Sequence, residues 1–554
     1  MKVSEFNRIG LTVALGLLVA SCGARDEGSS TMTLDEALDL VTEDALIAHV
    51  SYLADDALEG RMTGQPGYDK AATYVAEQFA ALGVEPAGND GWYQQVPLVT
   101  YNLVPEASAV TLHINGEDVA VEYREQFAMG GDPLRESASV RAGLVFVGHG
   151  VHAPELGYSD YEGVNVEGKI VVMFNNAPGT FETTQRAYFA SGETKLAEAV
   201  RRGAVGMIGL STRESAEKYP WDKYKERIGV RPGMTWVTET GEASGYFPEI
   251  IATAGLNDEA AALLFARAPF DFEAARDAIE ANRSVSVDLG IEATIAQSST
   301  HDRLASPNVV GLVRGTDPVL ADEYVVFTAH LDHNGLETFR DGDKVLNGAY
   351  DNAIGVALMI ETARVLAAAP PRRSVLFVAL TAEERGLLGS EYFAEYPTVQ
   401  KEAIVANINL DMPLFLFPVA DLIAFGAEHS TLGAVAERAA IAEAFSFSPD
   451  PMPEENLFVR SDQYSFVKQG VPAVYLIPGF TSTDPDVDGD ALVGDHLRNH
   501  YHEPSDDLAR PFHWPSAARF ARANARFGYE VAMDANRPRW QEGNFFGERF
   551  ASPQ

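Results

Sequence analysis

From Pro307 onward the chain repeats one pattern: a short unbroken apolar run, then a segment with helical periodicity. Tyr324 to Ala329, Ser374 to Leu380, Ile404 to Leu410 and Ala473 to Ile477 are such runs. None shows the apolar–polar alternation of a strand with one wet face. Ile354 to Ala368, the segment near Leu432 to Ala444 and Pro515 to Asp534 read as helices. Strands buried on both faces and separated by helices dictate an α/β fold, a mostly parallel mixed sheet with helices on both faces. Ligands of such sheets gather at the carboxyl ends of the strands.

The polar residues fall at those ends. The run ending at Ala329 leads into His330-Leu331-Asp332-His333, and Ser374 to Leu380 leads into Thr381-Ala382-Glu383-Glu384. Ile404 to Leu410 stops on Asp411, and Gly348-Ala349-Tyr350-Asp351-Asn352 stands immediately before a helix. A lone terminal Asp is usually a helix cap, and a lone His is usually structural. Four such positions converging on one sheet edge are a site.

In this order, His330-Leu331-Asp332, Gly348 to Ala353, Glu383-Glu384-Arg385-Gly386-Leu387-Leu388-Gly389-Ser390, Asn409-Leu410-Asp411-Met412, Ser461-Asp462 and Tyr501-His502-Glu503-Pro504-Ser505-Asp506 resemble the co-catalytic zinc aminopeptidases of clan MH. Bacterial leucyl aminopeptidases, glutamate carboxypeptidase II and transferrin receptor belong to that group. The likeness runs from about Leu34 to Asp534. It implies a zinc exopeptidase-like fold and two zinc ions. His330 and Asp411 would bind one ion, Glu384 and His502 the other, and Asp351 both; a bridging carboxylate holds two ions about 3.5–4 Å apart. It implies further that Asp332 holds the other nitrogen of His330, that Glu383 is the general base, and that the Asp351–Asn352 peptide is cis. Glu383 and Glu384 are expected to diverge as neighbours in extended backbone do.

Three late histidines compete for the last ligand position. His502 fits the pattern, and His496 and His500 do not; His333 is read as a satisfied neighbour. Phe458 stands where some smaller relatives place a tyrosine that helps hold the oxyanion, which leaves the second oxyanion donor unassigned.

Ahead of the α/β region, Leu34 to Leu82 reads as two helices joined by the glycine-rich Glu59 to Gly67. Short strands follow around Trp92 to Leu98 and Ala109 to Ile114. From 103 to 281 glycine-bounded valine strands at Gly143 to Gly148, Gly168 to Met173 and Gly203 to Gly209 resemble the protease-associated domain, a β-rich module inserted into secreted peptidases. The catalytic domain is thereby split into 34–102 and 282–540.

The start of the chain reads as a leader. Lys2 and Arg8 precede the apolar run Ile9 to Ala20, which ends Val19-Ala20-Ser21-Cys22. A membrane span needs roughly 20 apolar residues, so 1–22 is a signal peptide. Its end resembles a lipobox, with Cys22 acylated; the alternative is a plain signal peptide with an unmodified cysteine. Small polar residues make 23–33 a tether. The protein is expected at the periplasmic side of the outer membrane or the cell surface, touching the membrane only through that anchor.

With 80 Asp and Glu against 42 Lys and Arg, the net charge of −38 repels nucleic acid and anionic membrane faces. The leading expectation is an aminopeptidase acting on peptides. A carboxypeptidase or dipeptidase would need pocket arginines, for which Arg460 and Arg498 are candidates. A receptor-like binding protein is disfavoured by the complete ligand set, and a one-zinc glutaminyl cyclase by the Glu383–Glu384 pair and the bridging Asp351.

Overall fold

The computed structural model describes residues 32–337 and 340–551. The leader 1–22 with Cys22, and the tether as far as residue 31, lie outside the described residues. Among the described residues no helix is long and apolar enough to cross a membrane.

Four parallel strands form the middle of the α/β sheet, in the order Ser374–Leu380, Tyr324–His330, Ile404–Asn409, Ala473–Pro478. Parallel neighbours require a crossover, and Ile354–Ala368 supplies the one between Tyr324–His330 and Ser374–Leu380. An antiparallel strand flanks them on each side: Asp421–Phe425 beside Ala473–Pro478, and the end of Ser286–Val313 beside Ser374–Leu380. Every residue of Ser374–Leu380, Ile404–Asn409 and Ala473–Pro478 is buried, the physical reason those segments carry no alternation.

Alternate residues serve opposite layers. Val325, Phe327 and Ala329 pack with Pro66–Ala81, Ile354–Ala368 and Trp514–Met533, whereas Val326, Leu376 and Leu380 pack with Phe393 and Phe466 of the two short helices behind the sheet. Gly528 permits the close approach of Trp514–Met533. A Cβ there would stand 2.4 Å from the Phe327 ring.

The N-terminal segment differs from the expected pair of helices. It forms Leu34–Leu38, Glu43–Leu53 and Pro66–Ala81. Leu38, Val41, Leu46 and Val50 keep helical spacing, but Thr42 is extended and its side chain accepts from the Ala45 N–H, so it starts a new helix instead of continuing the old one.

A second body holds Ala109–Ile114, Glu117–Val121, Ser137–Val147, Ile170–Phe174, Gly206–Leu210 and Ala252–Leu256, with a core of its own around Leu144, Phe146, Val172 and Ile208. The 28-residue strand Ser286–Val313 belongs to both bodies. Its first half pairs with Ala109–Ile114 and Ser137–Val147, its middle with Tyr93–Leu103 and its end with Ser374–Leu380. Burial alternates from Leu289 to Ser299 and becomes continuous from Ser306. One strand thus leaves a sheet with a wet face and enters one covered on both faces.

Candidate metal centre

The fold carries the sequence-picked residues to one sheet edge. His330 is the last residue of its strand, Asp411 follows Ile404–Asn409, and Asp351 sits in the kinked turn that opens Ile354–Ala368. Glu383 and Glu384 follow Ser374–Leu380 in a tight turn, where the Glu383 carbonyl accepts from the Gly386 and Leu387 N–H groups at 2.8 and 2.9 Å. That turn corrects the expectation of extended backbone: curvature separates the two carboxylates. The Asp351–Asn352 peptide is cis.

Two groups of ligand atoms converge on Asp351. His330 Nε2 lies 3.1 Å from Asp351 Oδ1 and 3.0 Å from Asp411 Oδ1. His502 Nε2 lies 3.1 Å from both Asp351 Oδ2 and Glu384 Oε2. The second group also contains His333, whose Nδ1 is 2.6 Å from Glu384 Oε1. His496 is buried against Tyr350 and His500 pairs with Ser505; neither belongs to a ligand group. Phe458 packs on His429 and under Gly426, where a Cβ would meet its ring at 2.2 Å.

Asp332 does other work than expected. The Asp332 backbone carbonyl, not its carboxylate, faces His330 Nδ1 at 3.1 Å. That contact fixes Nδ1 as the donor and leaves Nε2 for a ligand. The Asp332 carboxylate instead accepts from the N–H groups of Glu383 at 3.1 Å and Glu384 at 3.4 Å. It anchors the turn that presents both glutamates.

Asn352, Ser461 and Asp506 stand in the quoted motifs without an assigned role, and Arg61 stands outside them. Asp506 accepts from the N–H groups of Tyr350 and Asp351 at 2.9 and 3.0 Å. Asn352 donates to the Leu410 carbonyl and accepts from the Met412 N–H, joining the turn of one ligand to the strand of another. The Ser461 hydroxyl donates to Asp411 Oδ2 at 2.5 Å. Arg61, 1% exposed, donates to the carbonyls of Leu53, Leu331, Asn347 and Gly348. A guanidinium is buried only where it is fully answered, so an arginine in a glycine-rich connection was the available signal.

The site's electrostatics follow from burial set against close opposite charges. Burial opposes charge on His330, but Asp411, Glu383 and Asp351 overcome it and hold the imidazolium well above its usual range. Burial likewise opposes charge on His502, and Asp351 and Glu384 nonetheless raise it to about 10. Burial and the Asp351 charge push Glu384 up, yet His333 and His502 leave it at about 2. Glu383 differs in kind: burial, and the charges of Asp411, Asp462 and Glu384, hold its carboxyl well above the carboxylate range against His330.

Imidazole nitrogens with carboxylate oxygens are a donor set that suits zinc. His502 Nε2, Glu384 Oε1 and both ring nitrogens of His333 are buried without an aligned hydrogen bond, although they lie this close together. A buried cluster of imidazoles and carboxylates this tight and this poorly aligned for hydrogen bonding is one that a cation can satisfy. The residues present therefore fit a metal.

A pocket of about 510 Å³ opens on His330, Asp351, Glu383 and Asp411. Met412, Leu414, Leu457, Ile477, Phe480 and Leu497 supply its apolar wall, and Tyr475 and Tyr501 also line it. Lys218 and Tyr219 of the second body complete the rim, with Lys218 Nζ 3.3 Å from Glu455 of the α/β body.

Residues 308–528 match Peptidase family M28. That stretch holds the four parallel strands and both ligand groups. Aminopeptidase NAALADL1 of Mus musculus is 35% identical over 127 residues, 21% of this chain and 15% of that protein. Aminopeptidase YwaD of Bacillus subtilis is 32% identical over 108 residues, 19% of this chain and 22% of that protein. The chain thus matches less than a quarter of the length of either relative. A likeness of fold extends across both bodies: an aminopeptidase from Aneurinibacillus sp. strain AM-1 superposes over 91% of this chain and 97% of its own, with a TM-score of 0.51 at 18% identity.

Proposed function

We propose that the protein is a zinc-dependent aminopeptidase that removes N-terminal residues from peptides and works with two zinc ions. The observation that carries this is the pair of ligand groups hinged on Asp351, with Glu383 beside them facing the pocket. Relatives at 35% and 32% identity bear the name aminopeptidase, and others the name probable zinc metalloprotease.

His330, Asp351 and Asp411 would hold one ion, and Asp351, Glu384 and His502 the other. Bound zinc supplies Lewis acidity, acidifying water and polarising the scissile carbonyl. Glu383 accepts the proton of the attacking water and passes it to the leaving amine. Its raised proton affinity suits both halves of that transfer. Asp332 keeps Glu383 aimed by holding its N–H. Burial and the surrounding carboxylates raise the Tyr501 phenol above its ordinary range, so it stays protonated as the second donor to the oxyanion. The apolar wall takes a bulky aliphatic or aromatic side chain, and the surplus of carboxylates takes a free α-ammonium group.

A second reading has one observation in its favour. Arg498 lines the pocket and has no ion pair or hydrogen bond among the described residues, so it is free to hold a substrate carboxylate, as a carboxypeptidase or dipeptidase requires. Arg460 is already paired with Glu455 at 3.2 Å. Hydrolysis of leucyl-p-nitroanilide, compared with an N-blocked peptide ending in leucine, decides between them. Cleavage of the first only is expected; cleavage of the blocked peptide only would replace the aminopeptidase reading with the second.

The same proposal takes the second body as a protease-associated module that narrows the pocket through Lys218 and Tyr219. It takes Cys22 as the lipid anchor at the outer membrane or cell surface, with peptides as the partners. Metabolic labelling with a fatty acid, abolished by Cys22→Ser, is the expected result for the anchor.

A further inference from the structure

His333 is left unexplained by the ligand sets above. Its side chain is 0% exposed, and neither ring nitrogen has an aligned hydrogen bond. A buried imidazole whose only close polar neighbours are misaligned carboxylates forfeits the hydrogen bonds that water would supply. Yet the surroundings are shaped to hold it there. The His333 backbone N–H donates to the Arg61 carbonyl at 3.2 Å, and the Arg61 side chain is locked on four carbonyls. Gly348, at φ +57°, clears the space: a Cβ at that position would stand 2.7 Å from the Cγ and Cδ2 of the His333 ring. Nδ1 points into the second ligand group, 2.6 Å from Glu384 Oε1 and 3.9 Å from Asp351 Oδ2, and the ring stands edge-on to His502 at 5.5 Å.

We propose that His333 is a further metal ligand, completing with Asp351, Glu384 and His502 a four-residue shell around one ion, while the ion on His330, Asp351 and Asp411 keeps the open coordination position. This rests on the metal-dependent reading above and deepens it by giving the two ions different tasks. Four protein ligands make a closed site, and three leave room for a water or substrate. An independent feature agrees with that division. The pocket is lined by His330, Asp351, Asp411 and Glu383, and by none of His333, Glu384 or His502. Substrate in that pocket meets the three-residue side, while His333 and Glu384 lie behind it and the His502 side chain, 36% exposed, faces solvent elsewhere.

The test starts with the wild-type protein loaded with zinc. Two equivalents are expected by elemental analysis, and titration with a chromophoric chelator should remove them in two steps. His333→Ala and His333→Gln should weaken the tighter equivalent by on the order of 100-fold or more, since even groups that only orient a ligand change affinity 10–100-fold. The other equivalent should keep its affinity, which also reports that the variants are folded. The visible spectrum of the cobalt-substituted protein should change in the same step. Both variants retaining two equivalents at wild-type affinity would overturn the assignment of His333 and leave the peptidase reading intact. Wild-type protein that takes up no zinc would instead overturn the reading beneath it. Should neither variant fold, a crystal structure of zinc-loaded wild-type protein decides: His333 Nδ1 within bonding distance of zinc supports the assignment, and its turning away overturns it.

Discussion

Asp351 has two flanks, and the fold treats them differently. On one, His330 and Asp411 open with Glu383 into an apolar pocket. On the other, Glu384, His502 and His333 stand off the pocket wall, beside backbone that Arg61 and Asp506 tie down. The first flank is built to meet a changing ligand and the second to keep a geometry. A substitution on the first should therefore register in rate, and one behind the second in stability. Glu383→Gln is the sharpest form of that statement. It removes the proton carrier and keeps the volume, so kcat should fall by about 10²–10⁴-fold. Zinc content and unfolding midpoint should stay at wild-type values, because Glu383 belongs to neither ligand group. Full activity with full zinc would break the comparison at its first term.

Arg61 supplies the opposite case. Burial lowers its pKa to about 10 against the pull of Asp351, Asp506, Asp332 and Glu384, so it is still charged at neutral pH. Its charge is answered mainly by the carbonyls of Leu331, Asn347 and Gly348, which flank the ligand-bearing segments. Arg61→Leu leaves those carbonyls without a donor and the nearby acids without a cation. The expected loss is about 3–5 kcal/mol of unfolding free energy, measured by denaturant titration. A stable Arg61→Leu protein that had lost only activity would move Arg61 from the supporting side to the reacting side.

The same division explains what could be read from the chain. His330, Asp351, Glu384 and Asp411 were legible because each follows a run buried on both faces or opens a helix, and such runs announce themselves by lacking alternation. Helix Ile354–Ala368 and strand Ser374–Leu380 have the limits their patterns predict. What escaped was whatever depends on contacts distant in sequence. The acceptors of Arg61 are carbonyls, which carry no residue identity, and three of them lie more than 250 residues away. Asp332 was read beside His330, its sequence neighbour, whereas its carboxylate serves a turn about 50 residues on. The break at Thr42 was hidden because Leu38 and Val41 before it, and Leu46 and Val50 after it, each keep helical spacing. The long strand Ser286–Val313 was hidden because its pattern changes midway from alternating to continuous, as its surroundings do.

Protons offer a finer probe of the two flanks, because each contributes an imidazole that must be neutral to bind a metal. Without metal, His502 pairs with Asp351 and Glu384 and its pKa rises to about 10, while His330 is held well above 6.5 by its own carboxylates. The sign follows directly. A raised histidine pKa stabilises the metal-free fold fully below the unfolded value near 6.5, and that contribution is lost as pH climbs through about 10 for His502. Zinc must displace the same protons. Its affinity should therefore rise with pH across the neutral range, by about tenfold per pH unit for each proton released. Glu384, at about 2, and Asp351, held below the carboxylate range by His330 and His502 despite its burial, are already ionised there and contribute no slope. Calorimetry at pH 7 in buffers of different ionisation heat should count at least one proton released per zinc on each flank. Proton release confined to one step of a two-step titration would mean that only one flank holds its imidazole charged, and the symmetry of the two ion-paired histidines about Asp351 would be lost.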